Sequence, residues 1–236
     1  VIVDTKGQDV SAAESQRMRK LTAQVTASER SHAAAPCVNN VSDGFACQSI
    51  SLLSHLSLQD LRPVSPRGND VWGYTDLNTG REYAIMGLQN GLAVVDVTNP
   101  EAPEQVAQAT GTATTWRDIK IYQLYDSAAA RWRAYAYATA DNVGDFMIVL
   151  DLSSLPNGVD RVSYNADFGA AHNAYITNVD YSFGLAQSTE APRLGIAGAV
   201  IGGGNYRLYS LRDPRSPSPS GTSTGGYAHD IASFPV

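Results

Sequence analysis

A segment of similar sequence recurs along this chain every 55 to 59 residues. Its first half is an apolar run that ends in a proline-containing turn, and the clear copies cover residues 91–103, 146–156 and 206–217. Asp96 and Asp151 occupy the same place in the first two copies, where the run meets the turn and where aspartate commonly bonds the turn backbone. We expect both to be structural turn residues. A strand-rich repeat of this length is typical of propellers and other repeat architectures.

The second half of the repeat is a polar pair that enters another apolar run. The pairs are Arg117-Asp118, His172-Asn173 and His229-Asp230, with a weaker copy at Asn69-Asp70. Each pair directly precedes a predicted strand, and side chains alternate along a strand, so one member of each pair faces a common axis and the other does not. The repeat spacing predicts that Asp70, Asp118, Asn173 and Asp230 are structurally equivalent, and we expect Arg117, His172 and His229 to point toward a common axis.

These runs predict an all-β fold, a β-propeller of four-stranded antiparallel blades. The innermost strands are predicted at residues 71–74, 119–122, 174–177 and 231–234. The turn signals Asn90-Gly91, Gly144-Asp145 and Gly204-Asn205 close one hairpin in each blade. The chain thus holds three blades and the start of a fourth. A propeller needs about four to eight blades to close, so we expect the propeller domain to be truncated at its C-terminus. The alternative is a small or incomplete propeller that another chain completes.

An N-terminal helical extension is predicted at residues 1–36, before a propeller domain at 37–236. Ser11 and Glu14 form a capping box, and the Ala-, Gln- and Lys-rich sequence after them favours helix to Ala34. This helix either lies solvated along the propeller or docks a partner.

The charge and hydropathy of the chain argue against two classes of protein. It carries 17 basic and 23 acidic residues, a formal charge of −6, and no concentrated basic face of the kind that binds nucleic acid. It has no apolar stretch long enough to span a membrane, and it begins without a signal peptide.

Cys37 and Cys47 are the two cysteines of the chain. They are either a disulfide, two free thiols or half of a metal site. The Cys-x-x-Cys spacing is absent and no histidine lies between them, so we predict a disulfide. A disulfide implies an oxidising compartment and therefore an extracellular or cell-surface location.

Residues 94–100, Val-Val-Asp-Val-Thr-Asn-Pro, resemble the LVIVD repeat. The chain from Cys37 onward resembles the bacterial choice-of-anchor B proteins, which carry such repeats. The matching pieces are residues 37–47, 69–74, 80–84, 115–120, 171–176 and 227–230. The resemblance implies an exported, surface-attached or released β-propeller with further blades, and it supplies no reaction.

The polar pairs of the repeat have three interpretations. In one, carboxylates and imidazoles converge on the channel and hold a divalent cation, such as calcium with oxygen ligands, or zinc, manganese or iron with His and Asp. The candidates are Asp70, Arg117, Asp118, His172, Asn173, His229 and Asp230. In another, the Asp and Asn side chains bond backbone N–H groups of the adjoining turn or blade. In the third, the pairs are a solvated lining of the channel. The cofactor is otherwise unknown.

Two functions compete at this point. The first is an exported or cell-surface propeller that acts as a binding or assembly module, whose partner is a protein, a surface or the further blades that complete the ring. The second is a metal-dependent hydrolase or lyase that uses the channel residues. Propellers host both kinds of function, so the fold does not choose between them.

Overall fold

A computed structural model describes residues 29–141, 146–162, 167–201 and 203–233. Over these ranges the chain is all-β, with mainly antiparallel sheets and no helix, so the all-β part of the predicted fold is confirmed. Two compact units are present. The smaller consists of residues 29–61 with Asn99–Pro103, and the larger of Arg62–Thr98 with the described residues from Glu104 onward.

The smaller unit contains the predicted disulfide. Cys37 and Cys47 are bonded, with their Cα atoms 5.9 Å apart. Between them the chain forms a hairpin of two short strands, β1 Val41–Ser42 and β2 Phe45–Ala46. The turn of this hairpin is Asp43-Gly44, and both residues have positive φ.

The predicted N-terminal helix is wrong where the structure can test it. Residues 29–34 contain no helix, and the backbones of His32 and His55 exchange two hydrogen bonds of 2.8 and 3.0 Å. Ala35 pairs with Leu52 in the same way. Helix propensity is a weak preference, and here pairing with a distant segment overrides it. The rest of the predicted helix, residues 1–28, lies outside the described residues.

The larger unit contains three sheets, and its strands are named in chain order. The first sheet is β3 Gly68–Thr75, β4 Glu82–Leu88, β5 Gly91–Asp96 and β6 Glu104–Thr110. The next four strands are β7 Ile119–Asp126, β8 Arg131–Thr139, β9 Met147–Asp151 and β10 Asp160–Val162. The last six are β11 Asn173–Ile176, β12 Val179–Asp180, β13 Leu185–Ala186, β14 Arg193–Ala197, β15 Arg207–Ser210 and β16 Ser218–Thr222.

Each sheet contains the predicted antiparallel series of four strands. The first sheet runs β3-β4-β5-β6, the second contains β7-β8-β9-β10, and the third runs β11-β14-β15-β16. The Asn90-Gly91 turn joins β4 to β5, and Gly91 approaches the next strand closely, since a Cβ there would lie 2.1 Å from the Ala109 oxygen. The turn predicted at Gly144-Asp145 lies outside the described residues.

The second sheet packs on both of its faces. One core contains Ile85 and Val94 of the first sheet with Ile121 and Ile148 of the second. Another contains Tyr137 and Val149 of the second sheet with Leu194 and Ile196 of the third. Strands buried on both faces are apolar along their whole length, and this explains the continuous runs in β8 and β9.

A hairpin that the sequence analysis did not predict extends the second sheet. Strands β12 and β13 pair with each other, and Leu185 of β13 forms a parallel bridge to Gln123 of β7. The Gln123 amide donates to the Gly184 oxygen at 2.8 Å, and its side-chain Nε2 donates to the Thr75 oxygen at 3.0 Å. The hairpin therefore lies on the inner edge that was predicted to line a channel.

The predicted fourth inner strand is not formed at residues 231–233, and Phe234 lies outside the described residues. The segment still lies along the third sheet. Ala228 N–H donates to the Gly204 oxygen at 2.8 Å, and the Tyr175 hydroxyl donates to the Ser233 oxygen at 3.3 Å. A strand requires a hydrogen-bonded neighbouring strand, and within the described chain these three residues have none.

Candidate functional site

The repeated aspartates bond the backbone of the neighbouring sheet. Asp70 precedes the apolar part of β3, and its Oδ2 accepts the N–H of Ile119, the first residue of β7, at 3.0 Å. Asp118 stands directly before β7, and its Oδ2 accepts the N–H of Ala174 in β11 at 2.8 Å. The two junctions between sheets thus use the same contact. It is the contact that the structural interpretation of the repeat predicts.

A buried lysine lies beside these two carboxylates. Lys120 Nζ donates to Asp118 Oδ1, lies 3.9 Å from Asp70 Oδ2, and stands 4.2 Å from the ring centroid of Trp72. Asn173 Nδ2 donates to the other Asp118 oxygen at 2.6 Å. Burial raises the pKa of Asp118, against the Lys120 ammonium and the backbone hydrogen bond, which lower it. The sequence analysis offered Asp70 and Asp118 as ligands of a metal cation. In the structure the positive charge beside them is the Lys120 ammonium group.

Arg117 is used differently from the histidines at the same repeat position. Its side chain is fully buried, and its guanidinium donates to three backbone oxygens. The acceptors are Leu88 at 3.0 Å, Thr112 at 2.6 Å and Thr139 at 3.5 Å. The guanidinium thus bonds backbone in the interior of the larger unit and is not available to a ligand.

The structure brings His172 and His229 together. Their ring centroids are 4.2 Å apart with the ring planes tilted by 56°. His172 Nδ1 lies 3.4 Å from Asp141 Oδ2, and His229 Nδ1 lies 2.7 Å from Asp230 Oδ2. Trp116 stacks on His172, with 5.8 Å between ring centroids. Both imidazoles reach solvent, because 22% of the His172 side chain and 60% of the His229 side chain are exposed.

The turn aspartates have the contacts expected of structural residues. Asp96 Oδ1 accepts the Thr98 N–H at 2.9 Å and Oδ2 binds Arg81, while Asp151 accepts the Ser153 N–H at 3.0 Å and pairs with Arg215. Burial alone would raise the pKa of Asp96, but the Thr98 hydrogen bonds and the Arg81 guanidinium together lower it. Among the described residues, no group of three or more His, Cys, Asp or Glu side chains is arranged to hold a metal ion.

An open cleft of about 500 Å³ lies beside β3. We call it the Trp72 cleft, and its lining includes Trp72, Gly73, Thr75, Glu82, Tyr181 and Ser182. Trp72 and Tyr181 meet edge to face with ring centroids 5.4 Å apart. Nothing lies within 4 Å of the position that a Cβ on Gly73 would occupy, so the backbone there borders open space.

The sequence analysis did not single out Trp72, Lys120 or Tyr181. Lys120 had a signal, since it is a charged residue inside the apolar run Ile119-Lys120-Ile121. Tyr181 also had a sequence signal. It lies in the connection from β11 to β14, which is longer than the corresponding connections in the other sheets. An insertion between two paired strands is a place where extra structure forms.

Comparison with known proteins finds no matching family model and no significantly similar curated protein. Within the described part of the chain, no helix has the length and apolar character needed to cross a membrane.

Proposed function

We propose that this chain forms an exported or cell-surface β-propeller that acts as a binding module, and that the Trp72 cleft is its ligand site. The propeller proposal is supported by three series of four antiparallel strands that pack on one another. An aspartate-to-backbone hydrogen bond of the same kind links the first series to the second and the second to the third. The resemblance to LVIVD-repeat and choice-of-anchor B proteins supports the same architecture. The Cys37–Cys47 disulfide supports export, because disulfides persist in oxidising compartments.

The observation that carries the binding function is the composition of the Trp72 cleft. Ligand sites are concave and mainly apolar, with a few polar groups that fix orientation. Here the indole of Trp72 and the ring of Tyr181 form the apolar part, and Thr75, Glu82 and Ser182 supply polar groups. Lys120 stands over the indole and helps to fix it.

A saccharide fits this arrangement. The C–H face of a sugar ring stacks on an aromatic side chain, while its hydroxyls bond hydroxyl and carboxylate groups nearby. Cell-surface polysaccharides are accessible to an exported protein. The alternative function, a metal-dependent hydrolase or lyase, gains no support from Asp70, Asp118 and Arg117, because the two carboxylates bond backbone and the arginine is buried.

Filling the cleft from Gly73 tests the proposal. Gly73→Leu places a side chain in open space and is expected to abolish co-sedimentation of the protein with the polysaccharide that it binds among chitin, cellulose and peptidoglycan. Gly226→Leu is the matched control, because Gly226 also borders open space and does not line this cleft. Absence of co-sedimentation with all three polymers, or equal binding by wild type and Gly73→Leu, would overturn the saccharide assignment.

A further inference from the structure

The His172 and His229 side chains are arranged as metal-binding imidazoles usually are. A histidine that binds a metal through one ring nitrogen almost always donates its other ring N–H to a carboxylate, backbone carbonyl or water. Asp141 faces Nδ1 of His172, and Asp230 faces Nδ1 of His229. In that tautomer each ring presents its Nε2 lone pair. The ring centroids are 4.2 Å apart, so both rings border the same small volume.

The two histidines belong to different parts of the larger unit. His172 immediately precedes β11, the first strand of the third sheet. His229 lies in the segment 227–233, which runs along that sheet. Its Ala228 N–H bonds the Gly204 oxygen, and its Ile231 side chain lies over Gly195. A ligand shared by both rings would therefore fasten this segment to the sheet.

We propose that His172 and His229 together bind a divalent transition-metal ion through Nε2, and that the ion acts as a clip between the segment 227–233 and the third sheet. Imidazole suits zinc and copper, whereas calcium prefers oxygen ligands. Two protein ligands leave the remaining coordination positions to water. The partial exposure of both side chains gives the ion access from solvent. This inference is independent of the saccharide function.

Titration of the protein with Cu²⁺, followed by electron paramagnetic resonance, tests the ligand set. We expect one tightly bound ion coupled to two imidazole nitrogens, with quenching of the fluorescence of Trp116, which stacks on His172. His229→Ala should leave a one-nitrogen spectrum, whereas His55→Ala in the smaller unit should leave the wild-type spectrum. Asp230→Asn retains both imidazoles but removes the carboxylate that orients one of them, and should weaken binding by about 10- to 100-fold.

The clip itself has a second readout. Zn²⁺ should slow hydrogen exchange at the Ala228 amide, which bonds the Gly204 oxygen, in wild type but not in His172→Ala. His229 is mostly exposed, so His229→Ala is expected to fold normally and provides the same comparison. The proposal is overturned by a wild-type spectrum with a single nitrogen, by His229→Ala binding as tightly as wild type, or by Ala228 exchange that does not respond to Zn²⁺.

Discussion

Arg117 and His172 stand at the same position of the repeat, one residue before the aspartate or asparagine that enters the second or the third sheet. Arg117 is fully buried and bonds three backbone oxygens, whereas His172 reaches solvent and meets a second imidazole. The backbone contact at the two junctions is nevertheless the same, from Asp70 to Ile119 and from Asp118 to Ala174. The repeat thus determines the joint between sheets, and the neighbouring loops determine what the adjacent side chain does.

The largest expected effect separates these two side chains. Arg117→Ala leaves three backbone oxygens without their donor and creates a cavity, so we expect the free energy of unfolding to fall by about 4 kcal/mol. His172→Ala removes a partly exposed ring, and we expect a loss of about 1 kcal/mol. Urea unfolding of both variants measures the difference. Similar losses would mean that the two junctions are equivalent in side chain as well as in backbone.

The second prediction compares the two junction aspartates. Asp118→Ala leaves the buried Ala174 N–H unbonded and removes the carboxylate nearest to Lys120, so we expect a loss of about 3 kcal/mol. Asp70→Ala also leaves a buried N–H, that of Ile119, without its acceptor, but it keeps the pair between Asp118 and Lys120, so a smaller loss of about 1 kcal/mol is expected. Denaturant midpoints again give the measurement. A larger loss for Asp70→Ala than for Asp118→Ala would show that the junction between the first and second sheets contributes more to stability.

Local sequence patterns were sufficient to predict most strands of the larger unit and the disulfide. The strands β4, β5, β8 and β9 are apolar runs bounded by turn residues, and the turn-end aspartates mark where the runs stop. These strands form because their own sequence is apolar and because each sheet packs against a similar sheet. Both conditions can be read from the repeat. The equivalence of Asp70 and Asp118 followed from the same periodicity.

Features that depend on distant partners were not predictable in this way. Residues 29–34 have helix-forming composition, yet His32 pairs with His55. The Arg117 guanidinium bonds the Thr112 oxygen, and Thr112 lies outside the repeated segments, so the repeat alone does not predict this contact. Lys120 interrupts an apolar strand, and only the fold shows that two carboxylates and the Trp72 ring surround it.

The third prediction concerns the unpredicted hairpin beside the second sheet. Gly184 has φ +68°, and a Cβ there would lie 2.8 Å from the Ile121 backbone oxygen. Gly184→Ala should therefore push the hairpin from β7 and lower the free energy of unfolding by about 2 kcal/mol. Gly73→Ala is the control, because the same added methyl group meets open space and should change stability by less than about 0.5 kcal/mol. Equal effects would show that the hairpin tolerates displacement.

The last and smallest expected effect is a difference in pH dependence between a junction aspartate and a turn aspartate. The pKa of Asp96 is lowered in the folded protein, so its contribution to stability is present above the unfolded value of 3.8 and is lost as the pH falls through the folded pKa. The pKa of Asp118 is raised by burial, so its contribution is present below 3.8 and is lost as the pH rises through the folded pKa. As the pH rises, the contribution of Asp96 to stability therefore increases and that of Asp118 decreases.

Asparagine substitutions isolate these contributions, because asparagine does not titrate. From about pH 3 to about pH 7, the stability advantage of wild type over Asp96→Asn should grow, and its advantage over Asp118→Asn should shrink. Urea midpoints at several pH values measure both slopes. Slopes of the same sign would show that Lys120 outweighs burial at Asp118. The junction carboxylate would then behave as an ordinary paired surface aspartate, and its contrast with the turn aspartate would disappear.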